Sequence, residues 1–500
     1  MRRVRRNSCW LLLLASLLLL PGCASRYFRP AGPPAEPVHH GLSDLNWREY
    51  WTGIIFNGDK VGFTHTAITP VPDQPGRYEI RSEASLLIRM LGFGKRIQLH
   101  ADDVVNEDLT LVRFDYDYNI DGNALQISGT HDAGRLRATV RNAGRTSEQE
   151  LRTSSAIYPA SVLALYPVVS GLKLGAQYRY EVYSGETQSL LDVRQSVEGY
   201  ESSDLFFGNA FKVQTAAVGN NVTTWIDESG KPVLELALNG VMISALEGES
   251  EAKRYLALAA LNKRDTLIDF SLVRPDRLIP DPRKTTHLRI ALAGAPSAPP
   301  STPTQRCEPS GEERLCDIRS GGGTPTPAAE STGDYLQPSI TVPSEMHAIR
   351  DQARSIVGAA STAGEQIRLL LDWIQKNIER APVDTFSALD VLQTRQAECQ
   401  GHAYLYTAFA RSLGIPTRVV NGLVYSEQFN GFLYHSWSES LVDGRWQAVD
   451  PTFGQTEADA THIEVVQGES AADVLPLIDW VGKVRIRVLA VEPGASSKGH

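Results

Sequence analysis

Three residues near the end of this 500-residue chain could together perform nucleophilic chemistry: Cys399, His435 and Asp450. A thiol becomes a strong nucleophile once its proton is gone, and an imidazole can take that proton near neutral pH. A carboxylate beside the imidazole fixes its tautomer and stabilises its protonated form. Such a set performs acyl transfer through a thioester and requires no metal or organic cofactor.

The neighbours offer rivals. His402 lies three residues after Cys399, past the first turn of the same helix, and is read as packing or hydrogen-bonding. His462 could line the cleft but is read as structural. Glu398 favours a helix N-terminus by its charge. A carboxylate next to a thiol also raises the thiol pKa, so Glu398 must point away or be paired.

The elements that position these groups can be read locally. Ala403, Tyr406, Ala410 and Leu413 repeat at helical spacing, Gly414 suits the position after a helix, and Pro416 prevents continuation. A helix from Cys399 to about Leu413 follows, with the cysteine at the end where unpaired N–H groups and the macrodipole favour a thiolate. Thr417 to Tyr425 reads as a strand, and Phe432 to Leu441 as a second with His435, Trp437, Glu439 and Leu441 on one face. Asp443-Gly444 is a hairpin turn, and Arg445 to Asp450 returns beside His435. Trp437 and Trp446 are expected to pack this sheet, and Trp437 is also a candidate substrate-binding wall because it shares the His435 face. Upstream, Ser344 could cap a helix reaching about Val357 and Ser361 could begin another, with Ile367, Leu371, Ile374 and Ile378 as its core stripe. Ser387 can cap a short helix through Leu392.

Taken in order, Cys399, Leu413-Gly-Ile-Pro-Thr-Arg418, His435-Ser-Trp437 and Trp446 with Val449-Asp-Pro-Thr452 resemble the transglutaminase-like superfamily of papain-fold cysteine enzymes. The close resemblance covers roughly residues 385 to 470, and Asp459-Ala-Thr-His-Ile463 is similar to a subgroup of bacterial exported members. Ala397 stands where many members have glycine, and Ser436 replaces a common alanine. The resemblance implies an α+β fold, with the catalytic cysteine at a helix N-terminus packed on an antiparallel sheet, and Cys399, His435 and Asp450 as its triad. Its substrate would be a protein or peptide amide. Hydrolysis by a peptidase or amidase is expected first. Glutamine–lysine crosslinking and a non-catalytic binding or assembly role are the alternatives.

Cysteine usage points the same way. Cys9 would leave with an export signal at residues 1–22, where Met1 to Arg6 is basic and Trp10 to Leu20 is apolar but short for a membrane span. Leu20-Pro21-Gly22-Cys23 resembles a bacterial lipobox, which implies lipidation of Cys23 and a tether over residues 23–45. With no aspartate after Cys23, that resemblance places the protein in the envelope, periplasm-facing at the outer membrane. Cys307 and Cys316 can pair in an oxidising compartment. Cys399 is then the single free thiol.

The formal net charge is −9, and near −13 once the four arginines of the signal are removed. An acidic chain argues against nucleic acid as a partner. Residues 46–270 read as an antiparallel β-rich domain, with hairpin signals at Asn57-Gly58, Asp121-Gly122 and Glu228-Ser-Gly230, and a short helix from Ala160 to Tyr166. His65, His100 and His131 are isolated there, and no motif reveals a function. Residues 271–500 form the second domain, interrupted at 293–334 by a Pro- and Gly-rich insertion read as flexible.

Overall fold

The computed structural model describes residues 27–493 except 91–92, 121–122, 143–144, 155, 218–219, 256–270, 322–331, 382, 384, 479 and 481. The expected export signal and the expected lipidation site Cys23 lie outside the described residues, as does the expected Asp121-Gly122 turn.

Strand dominates. In the N-terminal half a 16-stranded sheet is built almost wholly of consecutive antiparallel neighbours. One meander runs from Glu49–Phe56 to Arg145–Arg152, and a second from Gln177–Ser184 to Met242–Glu247. The last strand of the second pairs with the first strand of the first. Period-2 patterning explains these strands: Leu111–Ile120 buries Phe114, Tyr116 and Tyr118 while Arg113, Asp115 and Asp117 face out. The sheet folds over itself, because Ile68, Ile80 and Val105 of the first meander share a core with Val197, Phe211 and Ile226 of the second. His65, His100 and His131 each bond a nearby polar side chain, respectively Glu49, Asp102 and Thr153. The helix expected from Ala160 to Tyr166 begins as a 3-10 turn, and its α-helical part is shifted to Tyr166–Ser170.

The expected tether is largely docked. Phe28–Pro30 adds a strand opposite Glu201–Ser203, Phe28 stacks on Trp225 at 4.4 Å, and Leu42 and Leu45 are buried. Proline-rich composition suggested a free linker, but these apolar side chains anchor it from residue 28 onward.

In the C-terminal half the elements, numbered within it, are β1 (Thr285–Ala293), β2 (Gln305–Ser310), β3 (Glu313–Arg319), α1 (His347–Val357), α2 (Ala363–Asn377), α3 (Ala388–Thr394), α4 (Cys399–Ser412), β4 (Thr417–Ser426), β5 (Gly431–Val442), β6 (Arg445–Val449), β7 (Ile463–Gln467) and β8 (Arg485–Pro493). They form three layers. The sheet β6-β5-β4-β7 has the helices on one face and the sheet β2-β3-β1-β8 on the other. Helix α4 is enclosed, with Leu405, Tyr406, Ala408 and Phe409 fully buried.

Three expectations are corrected here. Most of the insertion is ordered: β2 and β3 form a hairpin joined by the Cys307–Cys316 disulfide between directly paired residues. Ser344 is not a cap, since α1 begins at His347 after Met346. The α2 cap is Thr362, whose hydroxyl accepts from Glu365 N, and not Ser361. Ser387 does cap α3, in a reciprocal pair with Asp390.

The two halves share a core. Ile340 and Phe386 of the C-terminal half pack against the cluster of Phe114, Ile127, Leu136 and Tyr183.

Candidate active site

The sheet delivers the base and its carboxylate. The backbone at Asp443 and Gly444 is left-handed (φ 48° and 74°), which closes the β5–β6 hairpin and pairs Ser438 with Val449. Asp450 follows β6 directly, and its Oδ2 lies 2.9 Å from His435 Nε2. The carboxylate is fully buried and its Oδ1 accepts from the N–H groups of Thr452 (2.7 Å) and Phe453 (3.0 Å). His435 is sandwiched: Phe453 stacks at 5.1 Å and Trp437 lies nearly parallel at 6.3 Å. With Nε2 engaged, Nδ1 is the ring nitrogen left to accept a proton.

Helix α4 delivers the nucleophile. Cys399 is its first residue and is partly exposed. The backbone of Ser436, next to His435 in the chain, favours the ionised form of the sulfur. Residues 350–451 match the family model described as the transglutaminase-like superfamily. This segment is a transglutaminase-like domain.

Relatives of the transglutaminase-like domain include kyphoscoliosis peptidase of Mus musculus, 30% identical over 112 residues, and of Homo sapiens, 30% identical over 110. The matches cover 19% of this chain and span only 17% and 16% of those two proteins. An uncharacterised protein of Mycobacterium leprae (strain TN) is 30% identical over 115 residues, covering 21% of this chain and 40% of its own length. Among solved structures, a candidate cysteine protease from Cytophaga hutchinsonii is 17% identical with a TM-score of 0.27, covering 43% of this chain and 89% of that one. A β-barrel-like protein of unknown function from Brucella abortus is 9% identical with a TM-score of 0.32, covering 40% of this chain and 95% of that one.

The electrostatics of the transglutaminase-like domain differ from the expected thiolate at a helix end. Glu398 is the cap: its side chain takes the N–H groups of Gln400 and Gly401, both at 2.9 Å. Its Oε2 also accepts from the Cys399 thiol at 3.2 Å. Enclosure of the sulfur by protein, with the Glu398 charge beside it, pushes the thiol well above its ordinary pKa. Burial and this carboxylate together outweigh what the helix end would give, and Cys399 rests as a thiol. Burial likewise holds His435 below its usual pKa, despite Asp450, so its imidazole is neutral at rest.

His402 packs as expected, with Nδ1 on the Glu398 carbonyl at 2.8 Å. Trp437 does not wall a groove: it is 2% exposed, edge-on to His462 and alongside His435. Its place requires Gly422 opposite, where a Cβ would collide with the Ile463 carbonyl and press on the Trp437 ring. Trp446 is buried over the Arg418 guanidinium at 4.1 Å.

His462, read from the sequence as structural, makes a contact that the sequence did not reveal. Its Nε2 lies 2.9 Å from the same Asp450 Oδ2 that holds His435. Asp459 and His462 stand three apart beside a strand start, and that spacing was the available signal. Ligand-type atoms of His435, Asp450 and His462 lie within 4.8 Å of one another, and the two hydrogen bonds account for their convergence. Beside α4, a cavity of about 710 Å³ opens between the halves, its walls including Tyr118, Leu125, Glu186, Phe386, Gln400 and Tyr404.

Proposed function

We propose that this chain is a cysteine-dependent acyl-transfer enzyme that hydrolyses protein or peptide amides in the bacterial envelope, held by a lipid on Cys23. The observation that carries it is the 2.9 Å hydrogen bond by which Asp450 orients His435, on the sheet against which the helix begun by Cys399 packs. The peptidase names of the mouse and human relatives agree with the reading.

In this scheme the Cys399 thiol leaves Glu398 and gives its proton to His435 Nδ1 as sulfur attacks the amide carbonyl carbon. The imidazolium, stabilised by Asp450, passes that proton to the departing amine, and the C–N bond breaks to leave a thioester. Water, deprotonated by His435, attacks the thioester carbon and returns the thiol.

The test uses the full chain with a dye-quenched unfolded protein and, separately, a dansylated alkylamine as acceptor. Release of dye, lost in Cys399→Ser and His435→Ala, is expected. Incorporation of the amine without cleavage would replace hydrolysis by crosslinking. Neither signal, with Cys399 alkylating no faster than a free thiol, would sink the enzyme reading.

A further inference from the structure

Asp450 carries one imidazole too many for a simple triad. Its Oδ2 accepts from His435 Nε2 and from His462 Nε2, each at 2.9 Å, while its Oδ1 is taken by two backbone amides. All three side chains are buried. His462 is not a loose neighbour. Its Nδ1 lies 2.9 Å from the Asp459 carbonyl and 3.6 Å from Asp459 Oδ1. The Asp459 carboxylate is in turn held by Thr461 N, Gln455 Nε2 and Arg283, whose Nη1 is 2.9 Å away. Trp437 packs edge-on against the His462 ring at 5.1 Å. The ring is thus fixed on two sides and aimed at the lone pairs that serve the base.

We propose that His462 is a positioning residue for the catalytic base: a second imidazole on Asp450 that fixes the carboxylate and limits how much of its charge reaches His435. The inference rests on the reading of Cys399, His435 and Asp450 as a working triad. Burial opposes charge on His462, but Asp459 and Asp450 outweigh it and push its pKa up to about 9. A cation there repels charge on His435 and shares its counter-ion. The other charged or titratable groups around the pair are Arg283 ahead of β1, Arg380 after α2, and Glu398, Cys399 and His402 at the start of α4. Arg380 and His462 both disfavour a charged His435. The arrangement keeps the resting pair as thiol and neutral imidazole, and makes the proton move only when substrate arrives.

The test is alkylation of Cys399 by iodoacetamide across pH in the full chain, in which the S–C bond forms, iodide leaves and the thiol proton passes to His435 or solvent. Wild type against His435→Ala first establishes the triad: a profile independent of His435 would defeat the enzyme reading itself. In His462→Gln the amide N–H can still bond Asp450, but the charge is gone. The two rings lie 5.8 Å apart, so the acid limb is expected to rise by about one pH unit, with roughly tenfold faster alkylation on the neutral plateau. A uniform loss of rate with the limb unmoved would show a merely structural His462 and overturn the proposal. Should His462→Gln fail to fold, ¹⁵N-histidine NMR of Cys399→Ser decides. A protonated His462 beside a neutral His435 at pH 7.5 supports the proposal, and a neutral His462 overturns it.

Discussion

Glu398 caps the helix that Cys399 begins and also holds the Cys399 thiol, with Oε2 3.2 Å from Sγ. One carboxylate thus does two things of opposite sign for a nucleophile: it orders the helix start and keeps the proton on sulfur. Glu398→Gln separates them. An amide oxygen can still accept from Gly401 N, at a cost of about 1 kcal/mol in helix stability. Loss of the charge should lower the thiol pKa and raise alkylation near pH 7.5 by roughly tenfold. Iodoacetamide kinetics beside thermal unfolding check both; unchanged reactivity would remove Glu398 from control of the thiol.

Asp450→Ala should be costly twice over. His435 loses the group that orients it and stabilises its charge, so turnover of the dye-quenched protein is expected to fall by roughly 10²- to 10⁴-fold. His462 keeps Asp459 but loses its second acceptor in a buried site, and stability should drop by about 3 kcal/mol. Chemical denaturation measures the second effect independently of activity.

Gly422→Ala probes the floor of the site. A methyl there meets the Ile463 carbonyl and the Trp437 ring, neither of which can yield without moving β7 or the ring beneath His435. A loss of roughly 1 to 3 kcal/mol is expected, with weaker His435-dependent alkylation. A variant as stable and reactive as wild type would show that the sheet can relax there.

In the N-terminal half, Asp103 is buried with Tyr116 and Ser161 donating to it at 2.8 and 2.6 Å, and burial pushes its pKa up to about 7. The folded form binds the proton more tightly than the unfolded chain, whose value is near 3.8. Stability therefore falls as pH rises from about 4 to about 7. Asp103→Asn should remove this dependence, leaving the variant on the order of 2 to 4 kcal/mol better placed, relative to wild type, at pH 8 than at pH 4. Parallel denaturation curves at the two pH values test it.

The local periodicities proved informative. Helix α4, strands β4 to β6 and the turn at Asp443-Gly444 follow from apolar spacing and turn chemistry, so the proximity of His435 and Asp450 could be counted out around one hairpin. Contacts between distant segments were not legible. The 3.2 Å contact from Glu398 to the thiol depends on side-chain direction within one turn. The meeting of His462 with Asp450 depends on a loop that returns after β6. Composition misled at residues 28–45 and 305–319, where proline and polar residues suggested free chain, yet Phe28, Leu42 and the Cys307–Cys316 pair bind those segments to sheets and core.

Ile340 and Phe386 pack against the core of the N-terminal sheet, and Phe386 adjoins Thr385, which lies against Gly401 in the first turn of α4. The halves are therefore not interchangeable cassettes. A recombinant carrying only the C-terminal half would expose the inner faces of two apolar side chains, one of them thirteen positions ahead of Cys399. Any lineage that keeps this seam must inherit both halves together, and changes in one will be filtered by the fit of the other.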